Sequence, residues 1–198
     1  MSRKKIPHNG IFHYLNSTFN FRMALVYKIQ EFLKRKFDKK KINLKDFARK
    51  SAIPYSTVIN ITKGFRLNTD ISNILKIANY FRCSIDEVIG RNDYITLPNT
   101  RDLVFHEITS EEIITNIKNF LENEVKKQNL NLYKLSTEIG FSNNSLHSFV
   151  NKREQKTLDS RIAVALADYF QVSLDEMVGR IKPNTSDNDE PSQQHTNE

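Results

Sequence analysis

The chain repeats itself, and that constrains its fold more than any other feature. NYFRCSIDEVIGR, from Asn79, returns as DYFQVSLDEMVGR, from Asp168, at a constant offset of 89 positions. Upstream, IQEFL from Ile29 matches IKNFL from Ile117, and INLKDFA from Ile42 matches LNLYKLS from Leu130, both at an offset of 88. One residue has therefore been inserted between the matched stretches, after Lys63 or Asn151, where a loop is expected. Two copies of one fold of about 70 residues are the economical reading of 198 residues.

Each copy carries the same run of short helical patterns. In the first helix Val26, Ile29, Phe32, Leu33 and Phe37 share a face, as do Ile114, Ile117, Phe120, Leu121 and Val125. A second, short helix follows Asn43 or Asn131, whose side chains can cap free backbone N–H groups, with Phe47 or Leu135 turned inward. The chain turns at Ala52 or Gly140 and enters a third helix, with Val58 and Ile61, or Leu146 and Phe149, on its buried face. A fourth begins at Asp70 or Asp159. The fifth opens on Ser84-Ile-Asp-Glu87 or Ser173-Leu-Asp-Glu176, read as capping boxes in which hydroxyl and carboxylate each satisfy a backbone N–H. Gly90 and Gly179 end this last turn. The expected fold is all-α, with five-helix domains over 23–91 and 110–182. A basic arm (1–22) precedes them, a linker (92–109) joins them, and a disordered acidic tail (183–198) follows.

Charge separates the copies. Residues 22–91 hold 16 Lys/Arg against 6 Asp/Glu, whereas residues 107–182 hold 10 against 11, so the net +7 is carried by the first half. No apolar run approaches the roughly 20 residues that span a bilayer, and MSRKKIPHNG leads into no signal core, so a cytoplasmic protein with no membrane partner is expected. Cys83 is the lone cysteine, and His8, His13, His106, His147 and His195 show no metal-ligand spacing. An enzyme is not expected: no catalytic residue, metal or cofactor emerges.

With this pattern in place, both copies resemble the Cro/phage-repressor (xenobiotic-response-element type) helix-turn-helix family. LKDFARKSAIPYSTVINITKG carries the likeness through Leu44, Phe47, Ala48, the small Ala52, Ser56-Thr57-Val58 and the closing Gly64. LYKLSTEIGFSNNSLHSFVNK carries it through Leu135, Gly140, Ser145 and Leu146. The resemblance implies two tandem lambda-repressor-like domains, each laying its third helix in the major groove of double-stranded DNA. Carried over by alignment, the base readers are Tyr55, Ser56, Ile59 and Asn60, with counterparts Asn143, Asn144, His147 and Ser148. Asn60, Asn143 and Asn144 are preferred, because an asparagine can bond to adenine at two atoms. The implied phosphate contacts are Asn43, Lys45, Arg49, Thr57, Lys63 and Arg66, with Lys152 and Arg153 in the second copy. Two departures stand out: Leu44 and Leu132 replace the family's usual phosphate-reaching Gln, and Pro54 replaces the usual Ser or Thr cap that Ser142 keeps.

Lys34, Arg35, Lys36, Lys39, Lys40 and Lys41 extend the basic surface of the first copy, whereas Glu122 and Glu124 stand where it has Lys34 and Lys36. The first copy is thus expected to bind DNA more strongly; the second either contacts DNA or holds a protein or a second chain. Arg3, Lys4 and Lys5 either touch DNA or belong to a plain disordered terminus. Extended at about 3.3 Å per residue, the connecting segment reaches about 50 Å, more than the ~34 Å between adjacent major-groove faces. Two copies could therefore read two half-sites as a covalent pseudo-dimer; homodimerisation through one copy is the competing arrangement. The leading expectation is a bacterial or phage transcriptional regulator on the nucleoid, acting as a repressor or through RNA polymerase. The runner-up is an antitoxin or adaptor that grips a protein partner. Self-cleavage of the kind that repressors with a peptidase domain carry out is not expected.

Overall fold

A computed structural model describes residues 18–65, 69–91, 105–151 and 158–181, with side chains from Leu25 onward. Among these residues the helices are α1 (Thr18–Lys40), α2 (Leu44–Ser51), α3 (Tyr55–Thr62), α4 (Ile71–Phe81) and α5 (Ile85–Ile89) in the first half. The second half holds α6 (Ser110–Gln128), α7 (Leu132–Glu138), α8 (Ser145–Asn151), α9 (Ser160–Phe170) and α10 (Leu174–Met177). The described residues form no strand beyond one isolated bridge.

The helix starts follow from side-chain oxygens placed before the first turn. Asn43 accepts from the Lys45 N–H, Asn131 from Tyr133 and Lys134, Asp70 from Ser72, and Asp159 from Arg161. Each bond satisfies a donor that the helix itself cannot. Two expectations need correction here. The first helix begins at Thr18, inside the segment assigned to an N-terminal arm; TFNFRM contains no Gly or Pro, so helix propagates through it at the gain of a hydrogen bond per residue. The boxes at Ser84 and Ser173 are only half made: each hydroxyl accepts from the backbone N–H of Glu87 or Glu176, but the Glu87 carboxylate is drawn to Lys36 at 3.0 Å. A complete capping box joins Thr109 and Glu112 at the start of α6.

Apolar residues from both halves form one continuous core. Phe47 is its aromatic centre in the first half, with the rings of Phe37, Tyr80 and Phe81 at 5.0, 4.8 and 5.8 Å. The pairs with Phe37 and Tyr80 are edge-to-face and that with Phe81 is stacked, and such pairs add about 0.5–1.5 kcal/mol each to the burial itself. Leu135 takes the matching place in the second half, where Phe120 meets Phe170 at 5.4 Å.

The halves meet through α4 and α5 on one side and α9 and α10 on the other, with α6 also against α4, and most of their polar contacts come in exchanged pairs. The Ile85 N–H donates to Asp175 (2.8 Å), and the Leu174 N–H donates to Asp86 (2.9 Å). Each aspartate thus caps the helix of the opposite half. Arg91 pairs with Asp86 and donates to the Val172 carbonyl at 3.2 Å, while Arg180 pairs with Asp175 and donates to the Cys83 carbonyl at 3.2 Å. Ahead of α4 and α9, Ile71 N–H meets the Leu158 carbonyl and Ser160 N–H meets that of Thr69. Every partner in these pairs is related to its counterpart by 89 positions.

Among the polar contacts of the described residues, the exchange fails at Arg91. Arg91 also binds Asp168 through Nε (3.0 Å) and Nη2 (2.7 Å). The residue matched to Asp168 is Asn79, whose Oδ1 is buried without a partner, as is the Nε of Arg180. Asp86, Asp175 and Arg180 are each at most 1 % exposed. Burial pushes the Asp175 carboxyl up to about 6, with Arg180 opposing and Asp86 adding to the rise. Burial likewise raises Asp86, against the pull of Arg91. Phe105, in the segment read as linker, lies under the Arg180 guanidinium at 4.7 Å, and the His106 N–H reaches the Arg180 carbonyl at 3.0 Å.

Candidate nucleic-acid interface

Whether α3 can be presented outward depends on what fixes its inner face. Val58 and Ile61 are buried, and Ile53 anchors the turn before the helix. That turn passes through Ala52 at φ 53°, a left-handed conformation that is costly for a residue with a side chain. The Lys76 ammonium binds its carbonyl at 3.1 Å. At the far end Gln30 donates from α1 to the Thr62 carbonyl at 3.1 Å. Gly64 follows at φ 71°, and a Cβ there would stand 2.8 Å from the same Gln30 amide. Gln30 was not singled out from sequence, because its partner lies 32 residues away.

With the inner face fixed, Tyr55 and Ser56 are exposed and Thr57, Ile59 and Asn60 are half-buried. Pro54 precedes the helix and makes no side-chain cap. Lys63 is exposed beside the ring of the exposed Phe65, at 5.9 Å. On α2, Lys45 is exposed, and Arg49 is held by Asp46 at 3.1 Å with both groups well exposed. A surface pair of this kind is worth about 0–1 kcal/mol and yields readily to a phosphate. The Asn43 side-chain oxygen is occupied by its cap. The basic run on α1 divides: Lys34, Lys39, Lys40 and Lys41 are exposed, while Lys36 is held by Glu87 and lies over the Phe32 ring at 5.0 Å.

The second half departs from expectation at the corresponding place. Asn143 and Asn144 lie in a turn ahead of α8, which starts at Ser145, two positions later than α3. Ser142 does not cap a backbone N–H with its side chain; its hydroxyl meets that of Ser145 at 2.7 Å. Ser and Asn side chains compete with helical hydrogen bonding in this way, so a run of four favours the turn. His147 is stacked on Tyr133 at 4.8 Å, and Ser148 is half-buried. At the positions matched to Lys45 and Arg49 stand Tyr133 and Thr137. Arg66, Lys152 and Arg153 lie outside the described residues, as do residues 1–17, 92–104 and 182–198.

No group of His, Cys, Asp and Glu among the described residues could hold a metal, and no described helix is long and apolar enough to cross a membrane. Burial pushes the Cys83 thiol up to about 12, which removes it as a nucleophile.

An exposed helix fixed by its inner face after a tight turn, with cations on both sides, defines a helix-turn-helix DNA-binding unit. A family model described as a Cro/C1-type HTH DNA-binding domain matches residues 32–93. The chain is 46% identical over 72 residues to an uncharacterized HTH-type transcriptional regulator of Rickettsia prowazekii (strain Madrid E), covering 35% of this chain and 78% of that protein. A second such regulator, from Rickettsia conorii (strain ATCC VR-613 / Malish 7), is 46% identical over 72 residues, or 66% of its length. No solved structure matches the chain. The chain belongs to the Cro/C1-type helix-turn-helix family.

Proposed function

We propose that this protein is a sequence-specific regulator of transcription that binds double-stranded DNA, represses by occluding polymerase, and works on the nucleoid in the cytoplasm. The observation that carries this reading is the outer face of α3, with Tyr55 and Ser56 exposed, Lys45 and Arg49 exposed on the α2 helix packed against it, and Lys63 exposed at its end. In this arrangement side chains from the start of α3 meet base edges in the major groove, and the flanking cations hold phosphates and set the register. Asn60 is the residue best suited to read adenine. Residues 105–181 form a second domain of the same kind. Its helix order and its 88–89-residue sequence match support that assignment. It binds DNA more weakly, since it has neither of the two α2 cations.

Selection from a random duplex library with the intact protein tests the proposal. A single enriched motif is expected, and Asn60→Ala should relax it at one position, a loss of about 1–3 kcal/mol of discrimination. An unenriched pool at moderate salt would overturn the reading.

A further inference from the structure

We infer that one chain acts as its own dimer: a single polypeptide offers α3 and α8 to two half-sites of one operator, and those half-sites are unlike. The inference rests on the DNA-binding reading above. Its warrant is the pattern of contacts between the halves. In a two-fold interface, residue i of one subunit meets j of the other, and j meets i. Apart from the extra bond from Arg91 to Asp168, the contacts made by Asp86 and Asp175, by Arg91 and Arg180 with the facing carbonyls, and ahead of α4 and α9 follow that rule within one chain. The rotation that exchanges α5 with α10 exchanges α4 with α9. Since α3 packs on α1 and α2, and α8 packs on α6 and α7, it also brings α3 onto α8. Dimeric helix-turn-helix proteins place such helices in successive major grooves, about one helical turn apart.

The same surface cannot serve a second chain, because Asp86, Asp175 and Arg180 are already buried within this one. In the Rickettsia prowazekii relative, by contrast, the 72-residue match takes up 78% of the protein, leaving too little for a second unit. The halves that this chain joins are unequal. His147 answers Ile59, Ser148 answers Asn60, and Tyr133 answers Lys45. A palindrome is therefore the wrong target. The operator should carry two different half-sites, with the stronger under α3.

The experiment uses the intact protein and a duplex of the sequence recovered from the random library. Native mass spectrometry should find one chain per duplex, and hydroxyl-radical footprinting should find two protected stretches about one turn apart. Inserting about five base pairs between them turns the halves to opposite faces and should weaken binding at least about tenfold. Two chains per duplex, a palindromic motif, or affinity indifferent to the insertion would overturn the inference while leaving DNA binding intact. A pool that never enriches would instead refute the reading on which it stands.

Discussion

Replacing Arg180 by Met tests the buried charge cluster that joins the two halves. Arg180 is 1 % exposed, and methionine keeps much of its length without its charge. Three contacts go: the ion pair with Asp175, the 3.2 Å bond to the Cys83 carbonyl, and the cation 4.7 Å over Phe105. The Asp175 carboxyl already sits at about 6 against an ordinary 3.8, so at about pH 7 its burial costs the fold about 3 kcal/mol. Without the guanidinium it rises further, yet taking up a proton limits the total to about 4 kcal/mol, only ~1 more than before. The orphaned Cys83 carbonyl adds about 1–2 kcal/mol and the lost ring contact about 0.5–1. The expected deficit is therefore about 3 kcal/mol at about pH 7. A carboxyl raised by folding contributes stability that is full below 3.8 and is lost as pH climbs through about 6. At about pH 5 both proteins hold most of that proton, so the deficit should shrink to about 2 kcal/mol. Urea unfolding followed by circular dichroism at the two pH values reads both quantities. A deficit under about 1 kcal/mol near neutrality, or one that grows on acidification, would refute this account of the cluster.

Three further substitutions probe other parts of the argument. Asp168→Asn puts there the amide that stands at the matched position, Asn79; with Asp168 partly exposed, the loss should be about 1 kcal/mol by urea unfolding, and no change would mean that the 2.7 Å bond adds nothing. Gly90→Ala puts a Cβ on a residue at φ 71° and 2.9 Å from the Lys28 side chain. That flexible chain can move aside, so the backbone penalty of about 1 kcal/mol should persist even when Lys28 is also changed to Ala. Lys45→Ala combined with Arg49→Ala should lower the slope of log affinity against log salt by about 2 and leave the selected sequence alone. An unaltered slope would remove both residues from the phosphate-facing surface.

Much of the first half was legible because its instructions are local. Asn43, Asp70 and Ser84 each announce a helix start with an oxygen whose target lies two or three residues on. Val58 and Ile61 mark the inner face of α3 by spacing alone. Reading failed where a partner is remote. The acidic residue of Ser84-Ile-Asp-Glu87 that does the distant work is Asp86, whose target is 88 residues away, and Glu87 is taken by Lys36. No local rule separates those two carboxylates. A signal was nevertheless present: the most closely repeated stretch is also the one that meets its own counterpart. Asn143 and Asn144 lie in a turn and not in the third helix for a different reason, since alignment transfers a position but not a conformation, and SNNS supplies its own turn.

Asn79 and Asp168 give the contact between the halves a history that a symmetric assembly could not have. When two identical chains pair, any substitution at their junction happens twice at once, and each must be tolerable in duplicate. Here the two matched positions are separate, with Asp168 binding Arg91 and the Asn79 Oδ1 unpaired, so a change can enter one side while the other stays intact. The unpaired guanidine nitrogen of Arg180 marks the side on which the match is missing. Drift of this kind is free to continue residue by residue, letting the reading faces specialise separately while the junction is held by the contacts that remain paired.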